Sequence, residues 1–136
     1  MVSTIDADWR REAPRKFWDP SRKLLRSIRR YQVYKQKMGL IPLILSKICV
    51  VHHSFWSVIT GADIPINCQL GGGLLIPHPN GIVIHPHASI GVNCLIHQQV
   101  TIGVKRGSVQ PPIIGAHVDI GAGAKIIGNI CIGNDA

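Results

Sequence analysis

Acidic residues are scarce in this chain: seven Asp and Glu stand against fifteen Lys and Arg, a formal charge of +8 over 136 residues. The imbalance is local, because 12 of the 15 basic residues lie between Arg10 and Lys47 and only Lys105, Arg106 and Lys125 come later. Aromatics make up 5% of the chain and form no aromatic–basic motif, so no nucleic-acid partner is expected. The basic stretch over residues 10–47 reads instead as a solvated face available for partner or membrane-surface contact. The four cysteines (49, 68, 94 and 131) show no metal-type spacing. Cys68 and Cys94 occupy apolar places and read as small hydrophobes in a reducing compartment, which makes a cytoplasmic location the expectation. The N-terminus opens polar and acidic (Ser3, Asp6, Asp8), without the basic start and apolar run of a cleavable leader. One long apolar run exists, Leu40 to Ile59. Pro42, Lys47, His52 and His53 interrupt it, which points to a buried or interfacial helix rather than a span.

Residues 1–60 form a basic helical segment. Residues 1–8 read as a loose tail. Trp9 to Lys37 is helical in composition, broken near Pro14 and again at Asp19-Pro20, where Asp19 can cap the helix that starts at Pro20. Leu24, Leu25, Ile28, Tyr31, Val33 and Tyr34 give it a partial apolar stripe. Gly39 is placed to end that helix, and a second one runs from about Ile41 to Ile59, closed by Thr60-Gly61.

Residues 61–136 count in sixes. Isoleucine stands at 84, 90, 96, 102, 114, 120, 126 and 132, with one skipped slot at Ser108. Four places later stand Ala88, Cys94, Val100, Val118, Ala124, Ile130 and Ala136, and glycine follows the isoleucine at 91, 103, 115, 121 and 133. Neither a helical period nor simple alternation produces this. Self-similarity of this kind marks a parallel β-helix of hexapeptides, in which three hexads close one triangular coil and each isoleucine stacks on the next coil's. The fold class is thus mainly β, with a short N-terminal α-helical segment. An earlier set (Ile64, Leu70, Ile76, with Cys68 and Leu74 at the corners) runs in another phase. The step from Ile76 to Ile84 is eight rather than six, so two residues are extruded within Pro77-His78-Pro79-Asn80-Gly81. A second irregularity, Gly103 to Ile113, reads as an exposed loop carrying Lys105 and Arg106.

Insertions in a rigid repeat are where a pocket can be shaped. His78, held between prolines in the first insertion, has the near-neutral pKa a general base needs. A solvent-exposed turn histidine would show the same spacing. Counting one coil plus the insertion places Gln98 beside His78, where it could position an acceptor or the base.

Three runs carry a resemblance to a known family: Pro77-His78-Pro79-Asn80-Gly81-Ile82-Val83-Ile84, then Val100-Thr101-Ile102-Gly103, then Ile120-Gly121-Ala122-Gly123-Ala124-Lys125-Ile126-Ile127-Gly128. Together they resemble the serine acetyltransferases and their relatives, and the pattern sits nearest the polysaccharide O-acetyltransferase members. The resemblance implies a left-handed β-helix, a homotrimer with sites between subunits, and acetyl transfer from acetyl-CoA to a hydroxyl without a metal. It makes His78 the catalytic base and places Gly123, Ala124 and Lys125 along CoA, with Lys105 and Arg106 adding charge for its phosphates. Gln98 and Asn80 become the acceptor-binding candidates. Family members usually continue with further coils, so the domain is expected to lack its C-terminal ones.

Departures bear on the acceptor. Serine-specific members carry an aspartate immediately before the histidine, where this chain has Pro77. They also carry an Arg-His pair at the places held here by Gln110 and Pro111. A sugar hydroxyl is therefore expected in preference to L-serine. Hexapeptide-repeat carbonic anhydrases bind zinc through histidines five apart; here Ile102 and Ala122 stand five places after His97 and His117, so no metal is expected. The competing reading from another class is a non-catalytic scaffold that docks a membrane or partner through its basic helices.

Overall fold

The structure, a computed structural model, describes residues 1–136. A 3-10 turn at Trp9–Arg11 precedes two helices, α1 (Pro20–Lys35) and α2 (Leu40–Thr60). Nine short strands follow: β1 (Gln69–Leu70), β2 (Val83–Ile84), β3 (Ser89–Ile90), β4 (Leu95–Ile96), β5 (Thr101–Gly103), β6 (Ile113–Ile114), β7 (Asp119–Ile120), β8 (Lys125–Ile127) and β9 (Cys131–Ile132). They build three parallel sheets, ordered β1-β3-β6-β9, β2-β5-β8 and β4-β7, which the chain visits in fixed rotation. That rotation is a three-sided parallel β-helix.

Register explains both irregularities. Ile84 pairs with Ile102 and Ile114 with Ile132, the regular step of three hexads. Leu70 pairs with Ile90 across the first insertion, three hexads plus the extruded pair. Ile90 pairs with Ile114 across the second, a step of four hexads. The second insertion is thus one whole hexad lifted off the coil, which leaves the sequence period undisturbed. The isoleucines behave as the count implies: Ile84, Ile90, Ile96, Ile102, Ile114 and Ile120 are at most 4% exposed. Each such burial contributes roughly 1.5–3 kcal/mol. Ile126 and Ile132, on the last turn, are half-buried.

Two of the three corners use the left-handed backbone region. Gly61, Gly81, Gln99 and Gly123 form one column with φ between 63° and 77°, and Gly73, Asn93, His117 and Asp135 form the other with φ between 53° and 77°. Glycine accepts this conformation without steric cost, and asparagine, aspartate and histidine enter it more readily than other residues; glutamine does not.

The helical segment departs from the sequence expectations in four ways. The tail is not loose: Asn93 is fully buried and its amide is satisfied only by that tail, accepting from Asp8 N and donating to the carbonyls of Ser3 and Asp6 at 2.7–2.8 Å. A buried amide requires such partners. Asp19 stands at the N-cap of α1, but its carboxylate makes no cap bond; it accepts from Arg15 N at 3.0 Å. Gly39 (φ 119°) is the N-cap of α2, and α1 has already ended at Lys35. Gly61 (φ 68°) closes α2 in left-handed conformation, at the place the sequence marked. Lastly, of the two expectations for α2, buried or interfacial, the buried one does not hold. Only Ser46, Cys49 and Thr60 are buried along it, while Leu40, Ile41, Leu43, Ile44, Val51, Phe55 and Val58 are each at least 50% exposed. By length and composition alone, α2 is also the one helix long and apolar enough to cross a membrane.

α1 supplies the joint between the segments. Leu24, Leu25 and Ile28 join the core of the coils. The Arg29 guanidinium reaches the carbonyls of Leu70 and Gly71 and pairs with the buried Glu12 at 3.2 Å, so part of the basic face is structural.

Candidate active site

The first insertion lies at the corner between the β4-β7 and β2-β5-β8 sheets. Ile96 N donates to Leu75 O and Gln99 N donates to Asn80 O, both at 2.9 Å, and these bonds bracket the bulge. Between them the lower coil runs through Pro77, His78, Pro79 and Asn80, where the next coil has only His97 and Gln98. Prolines suit the extruded turn because they have no N–H to lose from the ladder. Gly81 suits the end of the bulge: its φ is 72°, and a Cβ there would lie 2.6 Å from the side-chain Nε2 of Gln99, which would have to move aside.

The bulge leaves His78 exposed, on the same corner as Gln98. A cavity of about 620 Å³ opens beside it, walled by Pro77 and Pro79 and by Arg11, Arg15, Lys16 and Arg22, but His78 is not in that wall. The imidazole therefore belongs to the outer edge of the prism and not to any pocket of the single chain. Gln98 is the other unusual group. Its backbone carbonyl accepts from Gly123 N at 2.9 Å, while its side-chain Oε1 is inaccessible and has no hydrogen-bond partner. Buried acceptors are seldom left unpaired.

The same edge continues up the coils. Gly123 lies in the corner column with open space around its Cα. Lys125, on β8, is exposed and its ammonium donates to Gln99 O at 2.6 Å. Gln99 thus links bulge and lysine, and sequence reasoning missed it. The available signal was its place in register between Gly81 and Gly123, which marks a corner needing positive φ. Asn80 is exposed, with its carbonyl taken by Gln99 N. Ala124 packs its side chain on the core, its carbonyl accepts from Thr101 N and its N–H reaches Gly121 O. Its role is to fill the corner. Lys105 and Arg106 are exposed in the lifted hexad after β5, across the β2-β5-β8 sheet from the bulge. Hydrogen bonds thus link Asn80, Gln99 and Lys125 in one chain and tie Gln98 to Gly123, with His78 two residues before Asn80 on the bulge and Lys105 and Arg106 on the next edge. None of the three repeat cations is in an ion pair.

The remaining histidines are dispersed. His85 and His87 have rings 5.6 Å apart, and His117 Nδ1 lies 2.8 Å from Asp135 Oδ1. No group of three His, Cys, Asp or Glu side chains converges as metal ligands would. Cys68 and Cys94 are corner fillers: burial pushes the Cys68 thiol up to about 12 and the Cys94 thiol up as well. Neither is a nucleophile at neutral pH.

No protein-family model matches the chain. A serine acetyltransferase of Synechococcus elongatus is 37% identical over 105 residues, which is 76% of this chain and 40% of that protein. Among solved structures, the serine acetyltransferase of Neisseria gonorrhoeae superposes with a TM-score of 0.67 at 30% identity, covering 87% of this chain and 44% of that one. A serine acetyltransferase of Brucella abortus, solved in complex with coenzyme A, gives 0.64 at 32% identity, covering 87% and 48%. The chain spans less than half the length of each of these, and within that span it is serine acetyltransferase-like in both sequence and fold.

Proposed function

We propose that the chain is an acetyl-CoA-dependent O-acetyltransferase. The observation that carries the reading is the two-residue bulge, which displays His78 on the corner where Gln98 Oε1 is buried and unpaired. In this mechanism the His78 imidazole removes the proton of an acceptor hydroxyl as its oxygen attacks the thioester carbonyl. The ester C–O bond forms, the C–S bond breaks, and the imidazolium returns the proton to the departing CoA thiolate. Gln98 and Asn80, adjacent on the same corner, are the residues we assign to the acceptor. Lys125, Gly123 and, from the neighbouring edge, Lys105 and Arg106 receive the cofactor. The unpaired cations suit its phosphates, and the open backbone at Gly123 suits close approach of its pantetheine arm.

Because His78 stands on an outer edge and in no cavity of the single chain, a second subunit is needed to wall the site. We take the assembly to be a homotrimer of left-handed coils, working in the cytoplasm. Pro77, Gln110 and Pro111 supply no charge to hold a substrate carboxylate, so a sugar hydroxyl is the preferred acceptor; the relatives' names make L-serine the competitor. Free thiol release from acetyl-CoA, measured with L-serine and with hydroxyl-bearing sugars, separates the two. Turnover equal in the wild type and in His78→Ala would remove the mechanism. A non-catalytic scaffold would bind no CoA by calorimetry.

A further inference from the structure

α2 is built inside out. Its packed strip carries Ser46, Cys49, His53, Ser57 and Thr60 beside one large apolar side chain that packs on the core, Trp56, with His53 Nε2 bonded to Ile64 O at 2.8 Å. Its solvent face carries Leu40, Ile41, Ile44, Val51, Phe55 and Val58, the last 82% exposed. The helix is 21 residues long, so this face extends roughly 30 Å. Exposed apolar surface on that scale marks a surface that is covered in use.

The rim of the face says what covers it. From Pro20 to Ala62 the chain contains no acidic residue, and it holds Arg22, Lys23, Arg26, Arg29, Arg30, Lys35, Lys37 and Lys47. Lys23, Arg26 and Arg30 of α1 form one wall of a groove of about 340 Å³ whose other wall is Leu45, Ile48, Phe55 and Trp56 of α2. None of those three cations is in an ion pair. An apolar floor beside unneutralised basic groups is complementary to a lipid, with its acyl chain on one side and its phosphate on the other. Two copies laid face to face through this surface would bring two sets of like charges together.

We infer that α2 and the α1 rim form a docking surface for an anionic phospholipid bilayer, with α2 lying in the interface and not across it. Lys47 on the exposed side of α2 can extend to the headgroups. The surface does not involve the bulge, so its test needs no enzymatic readout.

The full-length chain is sedimented with phosphatidylcholine vesicles and with vesicles in which about a third of the lipid is phosphatidylglycerol. Binding to the anionic vesicles is expected, with little to the neutral ones, and with loss on raising salt to about 0.5 M. Combined Ile44→Glu and Val51→Glu should abolish pelleting. Combined Lys23→Gln, Arg26→Gln and Arg30→Gln should weaken it about a hundredfold. Should the acidic pair fail to fold, the basic triple still decides. Equal binding to neutral vesicles, or retention of the chain after alkaline carbonate extraction, overturns the proposal. So does a drop in lipid-free molecular mass in the Ile44→Glu, Val51→Glu variant, which would mean that another copy covers the face.

Discussion

The coils and α2 are both rich in isoleucine, leucine and valine, yet they use them oppositely. Along β2 to β7 the isoleucines at the repeat positions are nearly inaccessible, whereas along α2 most aliphatic side chains are exposed and Ser46, Ser57 and Thr60 share the packed side with Cys49 and Trp56. Hydrophobic content therefore says how much surface must be covered, and only a period says by what. In the coils the cover is the next coil. On α2 it is something outside the chain's own fold.

The largest effect that could break this comparison concerns the one place where the coil abandons its period. His78→Ala removes an exposed ring from the bulge and should leave the fold intact. Acetyl transfer should fall about 10²–10⁴-fold, the size of a general-base contribution, with unchanged circular dichroism and CoA affinity. A comparable loss of thermal stability would mean that His78 holds the bulge together, and the division between rigid coil and working insertion would fail.

The next effect compares the two kinds of apolar residue directly. Ile102→Ala, at 0% exposure, should cost about 2–5 kcal/mol in denaturant unfolding. Val51→Ala on α2, at 67% exposure, should shift stability by no more than about 0.5 kcal/mol. Similar costs at the two positions would show that α2's outer face is covered within the assembly studied.

How much of this was legible in the sequence follows the same line. The inward column from Ile84 to Ile120 was readable because hexad stacking writes itself into the chain, and the lengthened step from Ile76 to Ile84 betrayed the bulge. The lifted hexad kept the period, so counting located a loop there without showing that the register across it spans four hexads. α2 gave no direction because its apolar residues surround most of the helix. Within the candidate site, the exposure of His78 on the bulge followed from that lengthened step, whereas the 20-residue count set Gln98 beside His78 and the bond from Gln99 N to Asn80 O puts Gln98 in register with Asn80. Gln99 was not legible, because a corner's φ depends on its register neighbours.

A smaller effect tests where the two regions meet. Asn93→Ala should release residues 3–8 and leave Asp8 N without its partner, at a cost of about 1–3 kcal/mol. Limited proteolysis should then cut within that tail while the coils stay resistant. An unchanged digestion pattern would mean that the tail is held by Trp9 against Gly72 rather than by the amide.

The smallest effect reads the coil interior through pH. Burial holds the Cys68 proton in the fold up to about pH 12, whereas an unfolded thiol releases it near pH 8.5. Between those values the unfolded state binds fewer protons than the fold, so stability falls as pH rises, by at most about 1.4 kcal/mol per unit. Below pH 8 the residue contributes no slope. Urea unfolding at intervals from pH 8 upward should show this decline, and Cys68→Ala should flatten it. Cys131 is exposed on β9 and should alkylate readily at pH 8, while Cys68 stays unreacted. If both thiols react together, the corner column opens to solvent, and the contrast between a closed prism and an open helix face is lost.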